Sequence, residues 1–138
     1  MSLALRIAGY VLAAFMAFMG VQKFFGDVPI FSIIEANVAA DWGLHLPWID
    51  PGFKYVTGAL ELLAALMIVI GRRFQGALLS VAVILGAIAA HLTVLGVYTP
   101  MSSAPDAEKS PVLFFMAVAS GLLAAGVAWL SRPSPSGG

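Results

Sequence analysis

Residues 58–71 read "GALELLAALMIVIG", an apolar run with one carboxylate, Glu61, set inside it. A carboxylate persists among alanines and leucines only if something answers its charge. The stretch therefore raises the question of the fold and the question of the site together.

The surrounding composition answers the first. Hydrophobic residues make up 61% of the 138-residue chain and charged residues 10%, against about 45–50% and about 25% in ordinary soluble domains. A compact soluble protein of this size cannot hide so much apolar surface, so the excess must face hydrocarbon. The reading is an integral membrane protein. There is no cysteine, which removes disulfides, thiolate metal sites and thiol–disulfide exchange. The formal net charge is zero, and the few scattered basic residues argue against a nucleic-acid partner.

Crossing a bilayer takes about 20 mostly apolar residues. Four segments meet that requirement, at about residues 3–25, 53–70, 76–98 and 112–130. The pattern predicts an all-α, four-helix transmembrane bundle forming a single domain over residues 1–132, followed by a loosely ordered polar tail, "SRPSPSGG". "GRRFQG" reads as a tight turn between the second and third helices, and "TPMSSAPDAEKSP" as the connector between the third and fourth. The first segment begins like a signal peptide, but it lacks a clear cleavage site and is followed by more membrane sequence.

Charge sets the orientation. Arg6, Arg72, Arg73 and Arg132 fall on one side with no acids, while Lys23, Lys54 and Lys109 share the other with six acids. The positive-inside rule then places both termini in the cytoplasm. The long outer segment after the first helix carries Phe31, Ile34, Val38 and Trp42 three or four residues apart. That stripe predicts a short interfacial or re-entrant helix.

Within this frame Glu61 lies about 12 Å inside the outer boundary, and His91 about 10 Å. A charge near the middle of a membrane helix costs about 2.5–3.5 kcal/mol on insertion scales, so such groups turn inward and find partners. Thr57, Gly58, Ala64 and Ala65 put small residues on the same face as Glu61. Lys23 ends the first apolar run at that depth, with Gln22 beside it and Tyr10, Thr93 and Ser120 as further polar groups. The expectation is a Glu61–His91 contact, with Lys23 closing the mouth of a polar cluster that also draws on Gln22 and Thr57.

Two uses remain open for such a cluster. It can be interhelical glue, at about 0.6 kcal/mol per contact, or a ligand or proton site. One histidine and one glutamate do not make a transition-metal site. Ridges of small residues at Ala82–Gly86–Ala90, Ala117–Gly121–Ala125 and Ser120–Ala124–Ala128 point to close helix packing, within the bundle or between protomers. No nucleotide loop, serine elbow or CxxC is present.

The glycine-rich end of the first helix with its lysine ("FMGVQKFFG"), then "GALELLAALMIVIG", an arginine turn and "GALLSVAVILGAIAAHLTVLG", together resemble the DoxX family of small membrane proteins. The likeness covers roughly residues 9–130. The outer segment containing "DWGLHLPWIDP" is not placed by the family's usual form. The resemblance implies a four-helix bundle in the bacterial cytoplasmic membrane. It further implies a role as a non-catalytic subunit or partner of a quinone-linked redox complex or of detoxification proteins; more distant relatives assist assembly of other membrane proteins. It implies no intrinsic cofactor, but a cleft for a bound quinone or lipid, with other membrane subunits or further copies of the chain as partners. Two other functions stay open: conduction of protons or small solutes through Glu61 and His91, and a small membrane enzyme acting on a quinone or lipid.

Overall fold

The structure, a computed structural model, describes residues 1–135; the last three residues of the expected polar tail lie outside the described residues. The chain forms α1 (Leu3–Phe25), α2 (Ile30–Trp42), α3 (Lys54–Val69), α4 (Arg73–Ala90) and α5 (Val112–Ser131). Wide helical turns at Ile49–Phe53 and His91–Leu95 prolong α3 at its start and α4 at its end. With these turns included, α1, α3, α4 and α5 are each long and apolar enough to cross a membrane. At about 1.5 Å per residue, the 23 residues of α1 span about 35 Å.

The local reasons are short-range. Ser2 caps α1 by accepting the Leu5 amide at 3.2 Å. Gly71, at φ +96°, lets the chain reverse after α3. Three residues therefore suffice for the turn, and Arg73 already belongs to α4, which starts three residues earlier than expected. At its other end regular α4 stops at Ala90 rather than continuing to Tyr98. The hydrogen-bond ladder widens from His91, and Gly96, at φ +81°, ends it.

The four long helices pack antiparallel in the ring order α1, α3, α4, α5, with the seam between α1 and α3 the most extensive and that between α5 and α1 much thinner. Arg6, Arg72, Arg73 and Arg132 consequently share one end of the bundle. Close approach is built from glycine. A Cβ at Gly20 would stand 2.9 Å from the Gly58 carbonyl oxygen, and one at Gly58 would stand 3.1 Å from that of Gly20. Gly76 meets α3 just as tightly, with 2.7 Å from a Cβ there to the Ala64 carbonyl oxygen. Without a hydrophobic drive between helices in lipid, such backbone-to-backbone packing is a main source of association.

Side chains sort by radial position. Leu12, Met16, Ile68, Ala77, Ala124 and Val127 are buried between the helices, whereas Leu85 and Leu122 remain 58% and 72% exposed. A rim of exposed leucines, valines and aromatic rings is what a lipid-facing surface requires. Of the three small-residue ridges, Ser120–Ala124–Ala128 is buried. Ala82–Gly86–Ala90 is not closed by a neighbouring helix.

Between α4 and α5 the connector is more ordered than a plain loop. Thr99–Pro100 (β1) and Lys109–Ser110 (β2) form a two-residue antiparallel pair. Asp27, just past α1, accepts the Ser103 amide at 2.8 Å and the Ser103 hydroxyl as well, tying the tip of this hairpin to the end of α1. Chiefly the Ser103 hydroxyl, then its amide, holds the Asp27 carboxyl below the usual carboxylate range. A carboxyl lowered by folding supports its contact above the unfolded value, about 3.9, and loses it as pH falls through the lower folded value. Normalised at each pH to pepsin's rate on a denatured reference substrate, cleavage within residues 100–109 should be faster at the acid end of its range than near pH 5, and in Asp27→Asn the normalised rate should be high and flat with pH.

Candidate functional site

The arginine end of the bundle is filled by side chains, but the opposite half opens into a cavity of about 360 Å³. Its walls come from α1 (Phe15, Met16, Met19, Lys23), α3 (Thr57, Leu60, Glu61), α5 (Leu113, Met116, Ala117, Ser120) and a long stretch of α4 that includes Ala82, Gly86, Ala87 and Ala90. The small-residue ridge on α4, expected to seat another helix, instead makes room for this chamber. A Cβ added at Gly86 would meet nothing within 4 Å.

The polar groups of the wall sit where the helices come closest. At the Gly20–Gly58 crossing the antiparallel helices place Lys23 against Gly58, 3.0 Å from a Cβ there, and Glu61 one turn along α3, so that the two side chains reach across the crossing to each other. Lys23 Nζ lies 2.9 Å from both carboxylate oxygens of Glu61, with hydrogen-bond geometry toward Oε1 only. Lys23 is 5% exposed and Glu61 6%. The ammonium also donates to the Met19 carbonyl oxygen at 3.4 Å and stands 5.9 Å from the centre of the Phe31 ring. Such a pair is nearly neutral as a unit. In low dielectric it survives because each charge compensates the other.

His91, 4% exposed, lines the same cavity. Its pairing differs from the expectation. Among the described residues no hydrogen bond joins His91 to Glu61; the imidazole Nδ1 lies 2.9 Å from the Gly96 carbonyl oxygen, and the ring packs edge-on against Phe114. A carbonyl only accepts, so Nδ1 carries the proton of this contact. The widened turn is the physical reason: it bends the backbone after His91 back within reach of its own ring. Lys23, expected at the mouth, is the direct partner of Glu61.

Thr57 and Ser120 also line the cavity, and each hydroxyl donates to a carbonyl on its own helix, Phe53 at 2.9 Å and Ala117 at 3.1 Å. Gln22, Tyr10 and Thr93 do not line it. Tyr10 is exposed at the flank of α1, and the Thr93 hydroxyl is spent on the Ala89 carbonyl oxygen. Among the described residues no group of three or more histidine, aspartate and glutamate side chains is gathered as metal ligands would be.

The roof is only half foreseeable from the chain. The apolar stripe predicts α2 as an interfacial helix, and its Ile30, Phe31 and Ile34 close over the cavity while Trp42 stays exposed. Phe31 packs edge-on against Phe53. Two polar ties fix α2 in place: the Asn37 amide donates to the Val94 carbonyl oxygen at 2.9 Å, and Glu35 accepts the Asp50 amide at 3.1 Å. Sequence reasoning passes over both Glu35 and Asn37. The available signal is Glu35 interrupting the apolar stripe, which reads as untidiness until its partner in the next segment is known.

Compared with models of protein families, with curated proteins and with solved structures, the chain finds no match in any of the three.

Proposed function

We propose that this chain is a multi-pass protein of the bacterial cytoplasmic membrane, with both termini cytoplasmic, that holds an apolar molecule with a small polar head, a quinone or a lipid, in the chamber under α2. In this reading it acts as a DoxX-like, non-catalytic subunit or partner of a larger quinone-linked membrane complex. The observation that carries the binding function is the chamber itself. At about 360 Å³ it falls within the range of about 300–1,000 Å³ typical of small-molecule sites. Its walls are mainly Phe, Leu, Met and Ala, with Lys23, Glu61 and His91 as the few convergent polar groups. The arginine side and the acidic side of the chain support the orientation.

Conduction is the weaker reading. Leu12, Ala64, Ile68, Ala77 and Ala124 fill the half of the bundle beyond the chamber, and a wet path would have to cross them.

The test is retention. The protein, extracted in mild detergent and moved to lipid nanodiscs, should carry about one extractable quinone or lipid per chain beyond protein-free discs, and larger membrane subunits should co-purify from gentle extracts. Gly86→Leu points a side chain into the open space and should lower retention at least about tenfold with thermal stability unchanged. Equal retention by Gly86→Leu and the parent chain would show the chamber is not the binding site.

A further inference from the structure

The chamber's hydrogen-bonding capacity can be counted group by group, since each polar side chain has a fixed stock of donors and acceptors. The donors are committed. Lys23 gives two of its three N–H groups to Glu61 Oε1 and to the Met19 carbonyl oxygen, and the third is left beside Glu61 Oε2, 2.9 Å from Nζ. The hydroxyls of Thr57 and Ser120 give to Phe53 and Ala117, the back-bonding such residues adopt inside helices. The protonated Nδ1 of His91 gives to Gly96.

The acceptors are left over. Glu61 Oε2 is not among them, being buried away from the open space against the Lys23 ammonium. His91 Nε2 makes no hydrogen bond among the described residues, and with the proton on Nδ1 it presents a lone pair. The oxygens of Thr57 and Ser120 keep lone pairs too.

From this imbalance we infer that the chamber selects an apolar molecule that brings its own hydrogen-bond donor, a hydroxyl on a ring or chain, and discriminates against the same molecule with that hydroxyl oxidised or alkylated. The inference rests on the binding function proposed above and narrows it to a chemical class. A quinone offers only carbonyl oxygens and meets a wall of acceptors. Its reduced, dihydroxy form offers two O–H donors, and a free lipid alcohol offers one. The apolar remainder of either lies against Phe15, Met19, Ile34, Leu60 and Met116.

The discrimination follows from asymmetry. A hydroxyl in this chamber gains a partner for a buried acceptor, whereas an ether or ketone oxygen leaves both itself and the acceptor unpaired and desolvated. Sites that read a hydroxyl by hydrogen bonding reject the analogue lacking it far more strongly than apolar pockets reject a change of size.

Matched probes test this in nanodiscs. Nonylphenol and its methyl ether, nonylanisole, differ in one donor, as do dodecanol and dodecyl methyl ether. Binding is read as probe retained by protein-containing discs beyond empty discs. The phenol should bind at least about tenfold more tightly than the anisole, and His91→Phe should shrink that ratio. Ser120→Ala, a milder change, should shrink it to a lesser degree and guards against misfolding of the histidine variant. A preference in the aromatic pair alone assigns a reduced quinone-like ring, and one in the aliphatic pair assigns a lipid alcohol. Equal binding of hydroxyl and ether in both pairs overturns the donor rule while leaving a binding chamber. If no probe binds in any form, both the donor rule and the binding function fall.

Discussion

Lys23→Met should cost the bundle about 3–5 kcal/mol, the loss expected when one partner of a buried ion pair is removed and the other charge is left without compensation. Glu61 would then stand 6% exposed among alanines and leucines. In hydrocarbon it has no water to fall back on. The readout is the temperature at which half the detergent-solubilised protein is lost from its folded peak on size exclusion. A marked drop is expected, together with low abundance in the membrane. The companion variant is the more informative. In Lys23→Met/Glu61→Leu both charges go together, and a buried pair replaced by apolar residues of similar volume is often neutral or stabilising. The double variant should recover most of the lost stability. If instead Lys23→Met is harmless, the pair does not hold the bundle together.

A second large effect belongs to the seam between α3 and α4. At Gly76 a Cβ would press to 2.7 Å from both the Ala64 carbonyl oxygen and Ile68 Cγ1. Backbone on one side and a fully buried isoleucine on the other leave no easy escape. Gly76→Val should therefore force the helices apart at a cost of about 1–3 kcal/mol, as overpacking does. Gly126 is the internal control. It also lies within a helix, but nothing surrounds a Cβ there within 4 Å. Gly126→Ala should be neutral or gain up to about 1 kcal/mol from reduced backbone entropy. The same thermal assay separates the two. Equal behaviour would mean that the seam is looser than its geometry.

The fold was legible because its cause is one-dimensional. Four apolar runs of bilayer length can be read off a string, and the four spans lie where those runs lie. Element ends were less legible. Gly71 and Gly96 each settle where a helix stops through a positive φ, and whether a glycine takes that conformation depends on the packing of the segments it joins. The candidate cluster was legible in depth but not in azimuth. Counting residues placed Lys23, Glu61 and His91 at one level, and all three do line one cavity. Which two touch depends on the angular position of each helix, set by Gly20 against Gly58. The chamber was invisible for a related reason. Ala82, Gly86 and Ala90 spell a packing ridge, and only the ring order of the helices reveals that no partner fills it. The anchors Glu35 and Asn37 bind backbone groups far along the chain, and no local pattern announces such a bond.

The tie from Asn37 to the Val94 carbonyl oxygen has a mechanical corollary. Val94 belongs to the same widened coil that begins at His91, so roof and imidazole are coupled through three peptide units. Were the roof displaced, the strain would fall on the segment at whose root the ring sits, and lifting the cover would bear directly on the aim of the imidazole.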